Sequence, residues 1–373
     1  MKNKDSPETQ KYTTGDYGIT TGTAATAAAT AALLSIREPV EQVKIKAPAG
    51  ELDIDIETSM KLTETSGRAS VIKRPYKDPD VTKNLEIFAD VQLSNKPGVT
   101  IHGGEGVGRV TKPGLQVGVG ESAINPVPQS MLRSNLGEAL KKTFPNKGVS
   151  VTINVPKGRE IAKKTMNSRL GIVDGISILG TTGIARSMSS RSYKESLKCQ
   201  IDIALAEGYK DLIFVPGNIG EKLAKKVLNV DDDQIVQMSN FVGYMLTEAS
   251  NEGVKNITLF GHAGKLIKIA AGIFNTRHIV ADGRREIMAT HTALSGAKTS
   301  VVKHVFESNT TEDMIDLLYD ENLVDPVFNS IAGSIKDLCQ DKYDMNFDVV
   351  IVRMDGTVLN QNHDIMVNKE FVY

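Results

Sequence analysis

Two stretches in the second half of the chain share one layout. "DLIFVPGNIGEKLAKKVL" (Asp211–Leu228) is an apolar run, a glycine turn and an amphipathic run. "NITLFGHAGKLIKIAAGIF" (Asn256–Phe274) repeats that order with different residues. Strand, glycine turn and helix in repetition lead to a parallel sheet covered by helices. "GISILGTTG" (Gly175–Gly183) reads as a further short strand ending in glycines. "SYKESLKCQIDIALAEG" sets Leu197, Ile201 and Leu205 on one helical face, with Gly208 as C-cap. "DVVIVRMDG" (Asp348–Gly356) reads as one more buried strand.

The first half has a different rhythm. "VKIKAP" (Val43–Pro48) and "ELDIDI" (Glu51–Ile56) alternate apolar with polar residues around Ala49-Gly50, which predicts a hairpin. "EIFADVQL", "GVTIHGG" and "VSVTINVP" continue the strand periodicity, with one helix at the start and one around Pro128–Thr143. A chain of 373 residues has room for two domains. The expected fold class is α/β: a β-rich α+β domain over residues 1–168, then a Rossmann-like parallel α/β domain over 169–373, with the boundary near Ser168.

Composition narrows the partners. The net charge is -1, from 44 basic and 45 acidic residues, so no global field attracts nucleic acid or an anionic membrane. An anion must be held by a local cluster. Cys199 and Cys339 are the two cysteines and form no CxxC, which argues against a disulfide framework or a structural zinc and for the cytosol. No apolar run reaches the ~18–20 residues that span a bilayer. The histidines show no metal-ligand spacing, so no metal site is expected from the protein.

Several segments could carry chemistry. Three glycine turns follow apolar strands: Gly180, Thr181, Thr182 and Gly183; Pro216, Gly217 and Asn218; and Gly261 to Gly264 with Lys265 beyond. In an open α/β sheet such turns form the rim where ligands bind, although tight turns are also ordinary for the fold. "IHGGEGVGRVTKPG" contains Gly103, Gly104, Glu105, Gly106, Arg109 and Lys112. A flexible glycine loop with two cations and many backbone N–H groups suits a polycarboxylate. "KDPDVT" places Asp78 and Asp80 around Pro79, as turn residues or as a base. His262, at a strand-end turn, is a candidate acid, base or hydrogen-bond donor. "GITTGTAATAAATAALL" (Gly18–Leu34) reads as a helix of almost bare residues, with Thr20, Thr21, Gly22 and Thr23 as a hydroxyl-rich lip suited to a carboxylate.

Taken together, these motifs resemble the CbiD family, the cobalt-precorrin-5B C1-methyltransferases of anaerobic cobalamin biosynthesis. The resemblance rests on "YGITTGTAA", "DPDVT", "GGEGVGRVTKPGL", "VGESAINPVP", "NSRLGIVDGISILGTTGI", "VPGNIGE", "SNFVGYML" and "GHAGKLIKIAAGIFNT", and thins out after "ADGRREIM". Two departures stand out. Ala24 lies where the family usually has a cysteine, and Tyr76-Lys77 precede the Asp-Pro-Asp turn in place of a glycine and an acid.

The resemblance implies an enzyme that moves a methyl group from S-adenosyl-L-methionine to carbon 1 of a macrocycle fringed with carboxylates, to give cobalt-precorrin-6A. Cobalt then arrives with the substrate. On that reading the threonine lip and the Gly103–Lys112 loop bind the macrocycle. The three glycine turns bind the donor, and His262 and Asp80 steer charge or protons. The protein would be cytoplasmic, with room for a homo-oligomer. Two rivals differ in what they need. A nicotinamide-dependent oxidoreductase would want a GxGxxG and a distal acid, and the strand here ends "FVPGN". A non-catalytic tetrapyrrole carrier would need the carboxylate binders without the donor rim.

Overall fold

The computed structural model describes residues 18–77, 80–185 and 190–372, so Asp78 and Pro79 of the Asp-Pro-Asp turn lie outside the described residues. The chain divides into two compact units, Met1–Ser189 and Ser190–Tyr373.

The first unit begins with β1 (Gly18–Ile19), α1 (Thr21–Ser35), β2 (Gln42–Ala47), β3 (Gly50–Asp55), β4 (Thr58–Thr63) and β5 (Ser66–Ile72). It continues with β6 (Glu86–Ser94), β7 (Val99–Gly103), β8 (Arg109–Val110), α2 (Pro126–Thr143) and β9 (Gly148–Asn154). It ends with α3 (Gly158–Ala162), β10 (Ile172–Val173) and β11 (Ile184–Ala185). Its main sheet runs β4-β5-β6-β9-β7, antiparallel except for the parallel pair β7–β9. The expected hairpin is β2–β3, with Lys46 opposite Glu51 and Ala47 opposite Gly50.

Helix α1 explains its own composition. It is apolar all round, and such helices are buried; every residue from Thr21 to Leu33 is buried. It packs on β5 and β6, with α2 alongside. A Cβ at Gly67 of β5 would collide with the carbonyl of Ala32 and the hydroxyl of Ser35. Helix and strand therefore meet backbone to backbone, and larger side chains on α1 would hold them apart.

The second unit begins with α4 (Ser190–Ala206), β12 (Asp211–Val215), α5 (Asn218–Val227), β13 (Ile235–Gln237) and α6 (Val242–Asn251). Then come β14 (Asn256–His262), α7 (Ala263–Leu266), α8 (Arg284–Leu294), α9 (Thr299–Glu307), α10 (Thr311–Asp320), α11 (Val324–Lys342) and β15 (Asn346–Val352). The sheet order is β13-β12-β14-β15 and all pairs are parallel. Ile213, Val215, Leu223, Val227, Phe260, Val350 and Val352 form a core on it. No helix of the described residues is long and apolar enough to cross a membrane.

Three expectations are corrected. The units divide at Ser189, not near Ser168, because residues 169–185 are stitched into the first unit. Gly108 N–H donates to Ile176 O, Asn125 N–H to Ile178 O and Thr20 N–H to Gly183 O. "GISILGTTG" is not a strand of the parallel sheet; Ile176 and Ile178 make isolated bridges to Val107 and Ile124 in the first unit. After β14 the chain makes only the single turn of α7 and a 3-10 turn over Ile267–Ala271, where a full helix was expected. Gly272, at φ 73°, ends that turn.

Candidate functional site

The parallel sheet has a topological switch point. After β12 the chain passes through α5 to β13 on one side; after β14 it leaves toward β15 on the other. Beyond the carboxyl ends of strands that part in this way is where α/β sheets bind ligands. Here those loops are Pro216–Asn218 and His262–Lys265.

Packing holds the two loops together. Cβ atoms at Gly220 and at Gly261 would each lie 2.8 Å from the Pro216 ring, so both glycines make room for it. Lys265 Nζ donates to Pro216 O at 3.3 Å. Gly217, at φ 123° with no atom within 4 Å of a Cβ position, turns the chain into α5 and leaves the backbone open to approach. Gln237, at the end of β13, donates to Asn218 Oδ1 at 3.0 Å and to Glu221 at 2.6 Å, which ties down the start of α5.

His262 ends β14 and precedes α7. Its ring makes no hydrogen bond to any described residue. Burial, then the charges of Lys265 and Arg284, push its pKa below the ordinary histidine value, so the ring is neutral at pH 7. Lys265 is also pushed down, by burial and by Lys268. A Cβ at Gly264 would lie 3.4 Å from His262 Nδ1 and 3.6 Å from Thr311 Oγ1. The missing side chain thus leaves a gap between the imidazole and a hydroxyl that begins α10.

Beside Thr311 is a cavity of about 290 Å³, lined by Asp282, Arg284, Arg285, Asn309, Thr311 and Met314. Arg284 holds Asp282 through two hydrogen bonds, at 2.5 and 2.8 Å. The buried Lys268 lies 3.6 Å from the same carboxylate. The Arg284 hydrogen bonds, opposed by burial and helped by both cations, bring the Asp282 pKa down to about 2. None of Arg284, Arg285, Asn309 and Thr311 stands out in the sequence. "SNTTEDM" reads as a helix cap, and Thr310 and Asp313 do form a capping box; the neighbouring Thr311 hydroxyl is buried without a partner among the described residues.

The candidates in the first unit have different surroundings. The threonine lip faces inward. Thr20 Oγ1 accepts from Thr23 N–H, Thr21 Oγ1 donates to Leu179 O and accepts from Leu179 N–H, and Thr23 Oγ1 donates to Gly183 O at 2.6 Å. Gly22 N–H donates to Leu179 O. The expected open carboxylate lip is a clasp on the chain's own 177–183 segment. Gly180, Thr181, Thr182 and Gly183 therefore belong to the first unit and are not on the parallel sheet's rim.

The Gly103–Gly108 loop is packed, not flexible. Gly104 abuts the Asn154 side chain, Gly106 the Val155 carbonyl and Gly108 the Gly175 backbone, with no room for a Cβ. The N–H groups of Gly103, Gly104, Glu105 and Gly108 are spent on Ser122, Ile153, Asn154 and Ile176. Arg109 is exposed and donates to Gly120 O at 3.0 Å, while Lys112 packs over Gly171.

Asp80 is also committed. It accepts from the buried Lys73, from Tyr76 Oη at 2.8 Å and from Thr82 N–H and Oγ1 at 2.8 and 2.6 Å. Burial alone would raise its pKa; the hydrogen bonds from Lys73 and Thr82 outweigh it and bring it down to about 2. A carboxylate that acidic is a poor proton acceptor at pH 7.

The fold defines a class: a β-rich α+β unit followed in the chain by a short Rossmann-like unit, with His262 and Lys265 beside the switch point of its parallel sheet. The chain belongs to the CbiD family. The family model described as CbiD matches residues 8–187, and that described as the CbiD C-terminal domain matches residues 275–363, where the sequence motifs thin out. A protein of Methanobrevibacter smithii is 53% identical over 93% of this chain and 97% of its own. One of Methanosphaera stadtmanae is 54% identical over 95% of this chain and 94% of its own. One of Methanocaldococcus jannaschii is 48% identical over 92% and 95%. All three are named cobalt-precorrin-5B C(1)-methyltransferase. The crystal structure of a cobalamin biosynthesis protein from Archaeoglobus fulgidus is 29% identical, covers 72% of this chain and 84% of that one, and superposes with a TM-score of 0.38.

Proposed function

We propose that the chain transfers a methyl group to carbon 1 of cobalt-precorrin-5B, with S-adenosyl-L-methionine as donor, in cobalamin biosynthesis. One observation carries the reaction and its substrate: relatives 48–54% identical over at least nine-tenths of the chain bear that name. The choice of donor rests on chemistry. A methyltransferase needs an activated methyl group, and S-adenosyl-L-methionine supplies one on a sulfonium sulfur.

The switch point suits such a molecule. Gly217 leaves the backbone open to close approach, and among the described residues neither the buried Thr311 hydroxyl nor the uncharged His262 ring has a hydrogen-bond partner. A neutral imidazole suits a cationic sulfonium better than an imidazolium would. The protein's task is then to align donor and acceptor and to exclude water, and alignment alone can supply ~7–11 kcal/mol of the barrier. Pro216–Asn218 and Gly261–Lys265 hold the donor, and His262 orients it. Thr20–Thr23, Gly180–Gly183 and Asp80 maintain the first unit's framework.

Incubation with cobalt-precorrin-5B and donor carrying a 13C methyl group should give a product one methyl heavier, with the label at carbon 1 by NMR. No labelled product would contradict the proposal. In single-turnover assays His262→Ala should slow transfer more than about tenfold, or ~1.4 kcal/mol of barrier. A smaller loss removes His262 from the working site.

A further inference from the structure

The cavity between α8 and the start of α10 is lined in part by Thr311, whose buried hydroxyl the protein itself does not use. Thr311 is 7% exposed, and its Oγ1 has no hydrogen-bond partner among the described residues. Leaving a buried polar group unpaired is costly, so the group calls for a ligand. Its neighbours around the cavity supply further donors. Arg285 and Asn309 both line it, and neither has a partner among the described residues. Arg284 lines it too, bound to Asp282. Asp282 is the one acid of the lining, and Arg284 and Lys268 hold its charge. The acids in the first turn of α10 are engaged as well: Asp313 in the capping box, and Glu312 with Arg353 at 2.9 Å. The lining is thus rich in donors and net positive.

We propose that this cavity is a carboxylate-binding pocket, in which the Thr311 hydroxyl, the Asn309 amide and the Arg285 guanidinium donate to a ligand carboxylate. A guanidinium with two neutral donors matches the acceptor lone pairs of a carboxylate. The proposal rests on the methyl-transfer reading for its two possible sources, since both reactants carry the group: the amino-acid end of the donor, and the acetate and propionate arms of the macrocycle.

The test uses the full chain and two variants, Thr311→Val and Arg285→Gln. Because the Thr311 hydroxyl is unpartnered, Thr311→Val should leave the melting temperature equal or higher. A hydroxyl needed for folding would lower it, and that result would overturn the proposal. Calorimetry then compares S-adenosylhomocysteine with 5′-methylthioadenosine, which lacks the amino-acid end. If both variants lose at least tenfold in affinity for the first and none for the second, the pocket holds the donor's carboxylate. If S-adenosylhomocysteine is unaffected but KM for cobalt-precorrin-5B rises at least tenfold at unchanged kcat, it holds a macrocycle arm.

Propionate alone is the third probe. It should shift the His262 ring signals saturably in the wild-type chain and not in the variants. If the wild-type chain neither binds S-adenosylhomocysteine nor transfers methyl yet shows this propionate response, the methyl-transfer reading falls and the pocket stands. Variants that match the wild-type chain with all three probes overturn the pocket.

Discussion

Residues that look catalytic by type differ in what surrounds them. Asp80 sits in a motif that invites a general base, but it is bonded to Lys73, Tyr76 and Thr82 and titrates near 2. Burial drives Lys73 the other way, below its ordinary value, against the pull of Asp80. The pair's net contribution is therefore smaller than the Asp80 shift suggests, at most about 2 kcal/mol. Because the folded pKa is depressed, that contribution is full above pH 3.8, the ordinary value, and is lost as pH falls from there toward 2. Asp80→Asn leaves Lys73 buried without a counter-charge, which should cost about 3–5 kcal/mol in urea unfolding. At a temperature where the variant stays folded, its kcat should remain within about tenfold of wild type, or ~1.4 kcal/mol; a larger fall would make Asp80 catalytic.

His262 is the opposite case. Its position at a strand end was readable from "FGHAG", and its ring has no hydrogen-bond partner among the described residues. Gly264→Ala checks the gap beside it. The residue has no positive φ and the added methyl meets only side-chain atoms, at 3.4 Å or more. The fold should therefore be kept, while S-adenosylhomocysteine affinity falls. An unchanged affinity would mean that nothing binds between His262 and Thr311.

At the scale of elements, glycine and threonine motifs proved ambiguous for a physical reason. The groups that cradle a ligand are the same groups that let two backbone segments touch. The alternation in β2 and β3 and the apolar runs of β12, β14 and β15 were legible because periodicity and length report burial directly. The partner of a hydroxyl is set by long-range contact, and no local pattern encodes that Thr23 meets Gly183. The turn after Leu179 resembles a strand-end rim turn in sequence for the same reason. If the lip is a clasp, Thr21→Val with Thr23→Val should lower stability by about 1–3 kcal/mol per lost hydrogen bond. KM for the macrocycle should not change; a raised KM at unchanged stability would restore the lip as a binding element. Helix α1 offers a second check. Ala28→Leu enlarges a fully buried position where helix and sheet are in close contact, and should destabilise by about 1–3 kcal/mol in the same assay.

At the scale of the whole molecule, the two-part plan and the parallel sheet follow from the change in rhythm between the halves, while the boundary does not. Residues 169–185 carry short apolar runs suited to either unit. Their hydrogen bonds to residues 20–22, 108 and 123–125 assign them to the first. That assignment removes the Gly180–Gly183 turn from the proposed donor site, which is then placed within the second unit, at the switch point between β12 and β14 and the cavity beside α10. It is tested most directly by hydrogen exchange of the full chain with and without S-adenosylhomocysteine. The ligand should slow exchange in residues 216–221, 261–268 and 282–314 and leave residues 177–185 unchanged. Protection in residues 18–23 and 177–185, with none in the second unit, would contradict the account.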